Sequence, residues 1–127
     1  MTKEINTNDW GKFCQNLTNL RHDALLTVEA LRPGEANKPI ANNVPLQSVQ
    51  FEKTDACSDI VSFELGSSAG AQRPMRHVIT EPIHFWLKTA EGEGNYNPLV
   101  IEAETGAVQI TFHPALRQDV LAGLQVR

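Results

Sequence analysis

"LVIEAETGAVQITF", residues 99–112, carries the clearest local signal in the chain. Two alternating strand-like runs flank Glu104-Thr105-Gly106, and the glycine stands where a tight hairpin turn needs a positive φ. The segment reads as an antiparallel hairpin. It also sets the fold class, because parallel neighbours would need a long, usually helical, crossover, and no helical stretch separates the strand-like runs.

The same pattern extends upstream. "DIVSFELG" (59–66) places Val61, Phe63 and Leu65 on one face and Ser62 and Glu64 on the other. "VPLQSVQFEK" (44–53), with Val49 and Phe51 on one face, pairs with it around the turn-like "TDACSD" (54–59). "ALLTVEAL" (24–31) is a further strand. "RPGEANKPIANN" (32–43) reads as a loop, since Pro33, Gly34, Pro39 and two asparagines break both periodicities. "GSSAGAQRP" (66–74) and "AEGEGNYNP" (90–98) are loops as well. Between them "MRHVIT" (75–80) and "IHFWLK" (83–88) are strands separated by Glu81-Pro82, where the proline forces a kink or an end.

The sheet is bracketed by helices. Trp10, Phe13, Leu17 and Leu20 recur at helical spacing, and Asn6, Thr7 or Asn8 can cap the first turn, with Asp9 suited to its positive end. Gly11 weakens this helix slightly. Pro114 can open a second helix over 114–124, with Leu116, Val120, Leu121 and Leu124 as its apolar stripe. The prediction is an α+β fold: a twisted or partly closed antiparallel sheet of six to seven strands with an N-terminal and a C-terminal helix. With 127 residues the chain forms a single domain, 1–127.

Composition narrows the function classes. Apolar residues make up 41% and charged residues 20%, an ordinary balance for a soluble domain. A net charge of −4 argues against nonspecific nucleic-acid binding, which needs clustered Lys and Arg. That reading would require Arg73, Arg76, Lys88 and the terminal arginines to share one stripe. No run is apolar enough to cross a bilayer, and the polar start lacks a secretory signal, so a cytoplasmic location with reduced thiols is expected. Asn16 of "NLT" matches a glycosylation acceptor only by chance under that reading.

Chemistry-bearing residues are sparse. His77 shares a face with Met75 and Ile79, whereas His84 and Lys88 look outward beside Trp86, with Ile83, Phe85 and Leu87 inward. The two histidines therefore do not converge, and with Glu81 they fall short of a zinc ligand set. His77 is expected to bond a backbone carbonyl. Cys14, His22, Asp23, Cys57, Asp59 and His113 are its only available remote partners. Cys14 suits a core position, and Asp55 and Asp59 disfavour a thiolate at Cys57. Asp55 and Asp59, with Glu52 and Glu64, read as a solvated acidic turn, and "GSSAGAQR" lacks the G-K-[ST] ending of a phosphate loop. The candidate binding surface comprises His77, Glu81, His84, Trp86, Lys88 and Tyr96, the last with Asn95 at a loop rim. No catalytic residue, metal site or cofactor is assigned.

"WGKFC", "LLTVEAL", "VPLQSVQFEKTDACSDIVSFEL", "RHVITEPIHFWL" and "LVIEAETGAVQITF", in this order over residues 10–112, resemble a bacterial domain-of-unknown-function family. Its pattern begins W-x-x-F-C and includes an H-x-I-x-x-P element, onto which His77, Ile79 and Pro82 fall. The chain departs from it in a longer 32–43 segment, a less acidic turn at 54–59 and its C-terminal helix. The resemblance implies a small bacterial cytosolic protein and no particular chemistry. The sequence is compatible with two functions. The first is a noncatalytic binding or regulatory module that meets a protein partner, or itself, through an exposed sheet face or loops. The second is a small-ligand or metal-dependent enzyme using His77 with remote polar partners.

Overall fold

A computed structural model describes residues 2–32, 34–53, 59–66, 75–89, 95–104 and 106–124. In chain order the elements are β1 (Thr2–Ile5), α1 (Trp10–Leu20), β2 (Leu25–Leu31), β3 (Lys38–Lys53), β4 (Asp59–Leu65), β5 (Met75–Thr80), β6 (Pro82–Thr89), β7 (Tyr96–Ala103) and β8 (Gly106–His113). Short 3-10 turns at Thr7–Asp9 and Gln118–Leu121 flank the set. The eight strands form one antiparallel sheet in the order β1-β6-β7-β8-β2-β3-β4-β5. It is open, with β1 and β5 as its edges, so the predicted sheet is present and the option of partial closure is not taken.

The opening hairpin is β7–β8, paired from Leu99↔Ile110 to Ala103↔Gly106, with Gly106 at φ +138°. Beyond the paired backbone Asn97 takes over. Its amide donates to the Phe112 carbonyl at 2.8 Å and its side-chain oxygen accepts the Phe112 N–H at 2.9 Å. Pro98 has no N–H to offer, and the Asn97 side chain supplies both halves of a ladder rung.

β3 is where the sheet folds over. Its first half pairs with β2 as far as Pro45, and its second half pairs with β4 from Leu46 onward. Register shifts on both sides, with Asn43 at φ +52°, accompany the bend. The expected loop over 32–43 is therefore corrected: from Lys38 it is strand. Pro39 and Pro45 are tolerated because, among the described residues, this half of β3 has a neighbour on one side only. On the free side of the other half, α1 docks through Thr18. Its hydroxyl accepts the Val49 N–H at 2.9 Å and lies 3.0 Å from the Val49 and Cys14 carbonyls, one of which takes its single proton.

Asn6 caps the first turn, accepting from the Asn8 N–H at 3.0 Å, as the sequence suggested. The buried face of α1 is Trp10, Phe13, Cys14 and Leu17. Trp10 stacks on Phe85 at 4.5 Å and 14°, meets Phe51 edge-on at 5.6 Å, and donates its indole N–H to the Ile5 carbonyl at 3.1 Å. That bond holds β1 in place. β1 itself escaped the sequence reading, because four residues with one buried side chain leave no periodic trace. Among the described residues the strand count is thus eight.

The expected C-terminal helix is also corrected. Leu116 exchanges two backbone bonds with Tyr96, at 2.7 and 2.9 Å, and among the described residues a single 3-10 turn follows. Leu116, Val120 and Leu121 are buried all the same, so the apolar stripe marks a packing contact and not a helix. Asn16 of α1 secures this segment by donating to the Val120 and Ala122 carbonyls, and Arg21 forks onto Asp119 at 2.7 and 3.0 Å. No helix among the described residues is long and apolar enough to cross a membrane.

Candidate functional site

Alternation along β6 divides its side chains. Phe85 and Leu87 are buried, while His84, Trp86 and Lys88 take the outer face. Ile83 departs from its expected inward position and is 43% exposed. The register between β6 and β7 shifts between Pro82 and His84, so Pro82 takes the buried place and Ile83 is turned out. Ser62 departs in the opposite sense. It is buried on the outward parity of β4, a small side chain between Gln50 and Val78 in register.

Register assembles the outer face across four strands. Glu4 of β1 lies opposite Trp86, Trp86 opposite Val100, and Val100 opposite Gln109. In the next row His84 stands opposite Glu102, and Glu102 opposite Ala107. His84 Nδ1 lies 2.6 Å from Glu4 Oε2, and its ring sits 5.1 Å from that of Trp86. The Trp86 indole N–H donates to Glu102. Lys88 continues the face opposite Thr2. Glu4, His84, Trp86 and Glu102 thus form one polar–aromatic ladder. Glu4 and Glu102 were absent from the predicted set: their role depends on β1 pairing with β6 and β6 with β7, which no local pattern announces.

The other predicted residues lie elsewhere. Glu81 occupies the link between β5 and β6 at φ +53°, with its N–H donated to the Asp59 carbonyl. Tyr96 is corrected. It is buried in the core, not at a loop rim, with the Lys3 ammonium 5.2 Å from its ring centroid. His77 faces the inside of the folded sheet, opposite Phe63. It lines a cavity of about 240 Å³ between β5 and the β2 and β8 ends, with Arg32, Ile40, Ile79 and Val108. Among the described residues it has no hydrogen-bond partner, so the expected carbonyl bond is not made. Cys57, Asp55, Arg73 and the last arginine lie outside the described residues. Among the described residues no three His, Cys, Asp or Glu side chains gather as a metal site would require.

Burial shifts two titrations. Desolvation pushes the Cys14 thiol up to about 12. At pH 8 roughly one thiol in ten thousand would be ionised. Iodoacetamide is expected to leave Cys14 untouched in the folded protein and to modify it in denaturant, as peptide mass spectrometry would show. Labelling at equal rates in both states would contradict this. Desolvation lowers the His77 pKa below its ordinary 6.5. The unfolded chain then binds the His77 proton more readily, so this contribution to stability is complete above about pH 6.5 and is lost as pH falls below it. Urea melts at about pH 7.5 and 5.5 should show a smaller loss for His77→Gln than for the wild type. Equal losses would remove His77 from the acid response.

The chain belongs to DUF5335, a family of unknown function, whose pattern it matches over residues 1–119. No curated protein and no solved structure matches it.

Proposed function

We propose that this chain is a noncatalytic binding module that meets a protein partner through the outer sheet face centred on Trp86. The supporting observation is the ladder of Glu4, His84, Trp86 and Glu102, whose groups are held against one another before any partner arrives. Rigid aromatic anchors flanked by charges suit recognition, since little side-chain freedom remains to be lost on binding. Lys88, opposite Thr2 on the same face, adds a cation to a surface that carries two carboxylates and contributes directional charge matching. A regulatory role and self-association fall within this reading, with the partner a second copy in the latter case.

The test is quantitative binding to a purified partner, first recovered by affinity capture with the wild-type chain. Trp86→Ala is expected to weaken the calorimetric Kd by tenfold or more, on the order of 2 kcal/mol for a central aromatic anchor. Leu20→Ala, on an exposed position of α1, should leave it unchanged. Equal affinities for wild type and Trp86→Ala would end this assignment. A partner whose binding follows Leu20 would end it as well.

A further inference from the structure

We propose that the cavity beside His77 binds a small apolar monocarboxylate, at a site separate from the outer sheet face. The cavity lies where β2 ends and β8 begins, with β5 and Ile40 of β3 completing its lining. Its walls at Leu31, Ile40, Ile79 and Val108 are apolar. Its volume of about 240 Å³ exceeds the roughly 150 Å³ that holds a benzene ring in an engineered apolar cavity. A ring or a chain of about six carbons with one carboxylate therefore fits.

The polar groups in the wall choose the head group. Among the described residues Arg32 is the one fully charged side chain of the lining, and its ionic partner, Glu35, is a loose contact at 3.7 Å. Its guanidinium is about half exposed and can exchange this loose contact for a forked bond to a ligand carboxylate. His77 and Thr80 add hydrogen-bonding groups, and His77 has no partner among the described residues. Solvent reaches the His77 ring nitrogens, since no buried side-chain nitrogen or oxygen among the described residues lacks a partner, and a bound carboxylate would replace water there. Glu81 follows the lining residue Thr80 in the chain, and its carbonyl accepts the Glu104 N–H at 3.3 Å, but neither residue lines the cavity. Their charge disfavours multiply charged anions such as nucleotides and leaves a monoanion admissible.

The experiment is an amide NMR titration of the intact chain with benzoate and hexanoate as probes, benzylamine and benzyl alcohol serving as comparators. Saturable shifts at Ala30, Ile79 and Val108 with a Kd of about 1 mM are expected for the carboxylates. The amine should produce none and the alcohol much weaker binding. Arg32→Gln should weaken benzoate about tenfold and His77→Leu about fivefold, with Trp86→Ala unchanged. Arg32 is an exposed side chain, so its variant tests binding in a folded protein. Absence of saturation by about 20 mM would overturn the proposal. Equal binding of amine, alcohol and carboxylate would overturn it too, as would an Arg32→Gln variant with wild-type affinity. Loss of benzoate binding in Trp86→Ala would also overturn it by placing the ligand on the outer face, and the protein-partner assays there are read independently.

Discussion

Trp10→Ala should remove about 3–5 kcal/mol of stability, the cost typical of deleting a buried large aromatic side chain. Three losses coincide at this one position. The ring leaves a cavity between α1 and the sheet, the 4.5 Å stack on Phe85 disappears, and the Ile5 carbonyl loses its indole donor. The last of these releases β1, the edge strand that carries Glu4. Urea denaturation should show a lower midpoint with an unchanged slope if the fold survives. A domain with the usual 5–15 kcal/mol in reserve has little to spare, so Trp10→Phe is the informative companion. It should restore most of the packing and none of the hydrogen bond. A stability loss under about 1 kcal/mol for Trp10→Ala would show that this stack contributes little.

Asn97→Ala should cost about 2–4 kcal/mol, more than its half-buried position suggests. One side chain satisfies both the N–H and the C=O of Phe112, and alanine leaves both without protein partners. Each orphaned backbone group costs about 1–3 kcal/mol, moderated where water can reach it. Hydrogen exchange locates the effect: the Phe112 amide should lose protection while those of Leu99 to Ile101 retain theirs. Protection of Phe112 as strong in the variant as in the wild type would show that the rung is dispensable.

The sequence is legible where period and length agree. The β7–β8 hairpin, β4 and α1 carry clean alternation or a clean helical stripe, and each lies where that pattern predicts. It is misleading where a tertiary contact overrides a local rule. Pro39 and the Asn42-Asn43 pair look like punctuation, yet they sit in β3 because that half of the strand has a free side. Val120 and Leu121 look like a helical stripe, yet the backbone beside them bridges to Tyr96.

The candidate sites divide in the same way. That His77 and His84 face apart follows from strand parity alone, and the structure places one inside the sheet and the other outside. The ladder around Trp86 was half visible, because His84, Trp86 and Lys88 share β6. Its two carboxylates come from β1 and β7 and were not visible from that segment. Tyr96 misled because a tyrosine next to a Gly- and Asn-rich loop resembles a rim residue; its burial follows from the bridge to Leu116.

β3 has a consequence for how the chain can be divided. Sixteen consecutive residues serve as the border of both halves of the sheet, pairing with β2 before the bend and with β4 after it. A cut in β3 also separates β1 from β6 and β2 from β8, so each fragment is left with unmatched strand borders. Excised halves should therefore be unfolded alone and regain structure only when mixed. Evolution can lengthen the hairpin ends without disturbing this shared border, whereas a one-residue insertion near Pro45 would turn the following side chains to the wrong face. The two halves are joined less like beads than like facing pages with a common spine.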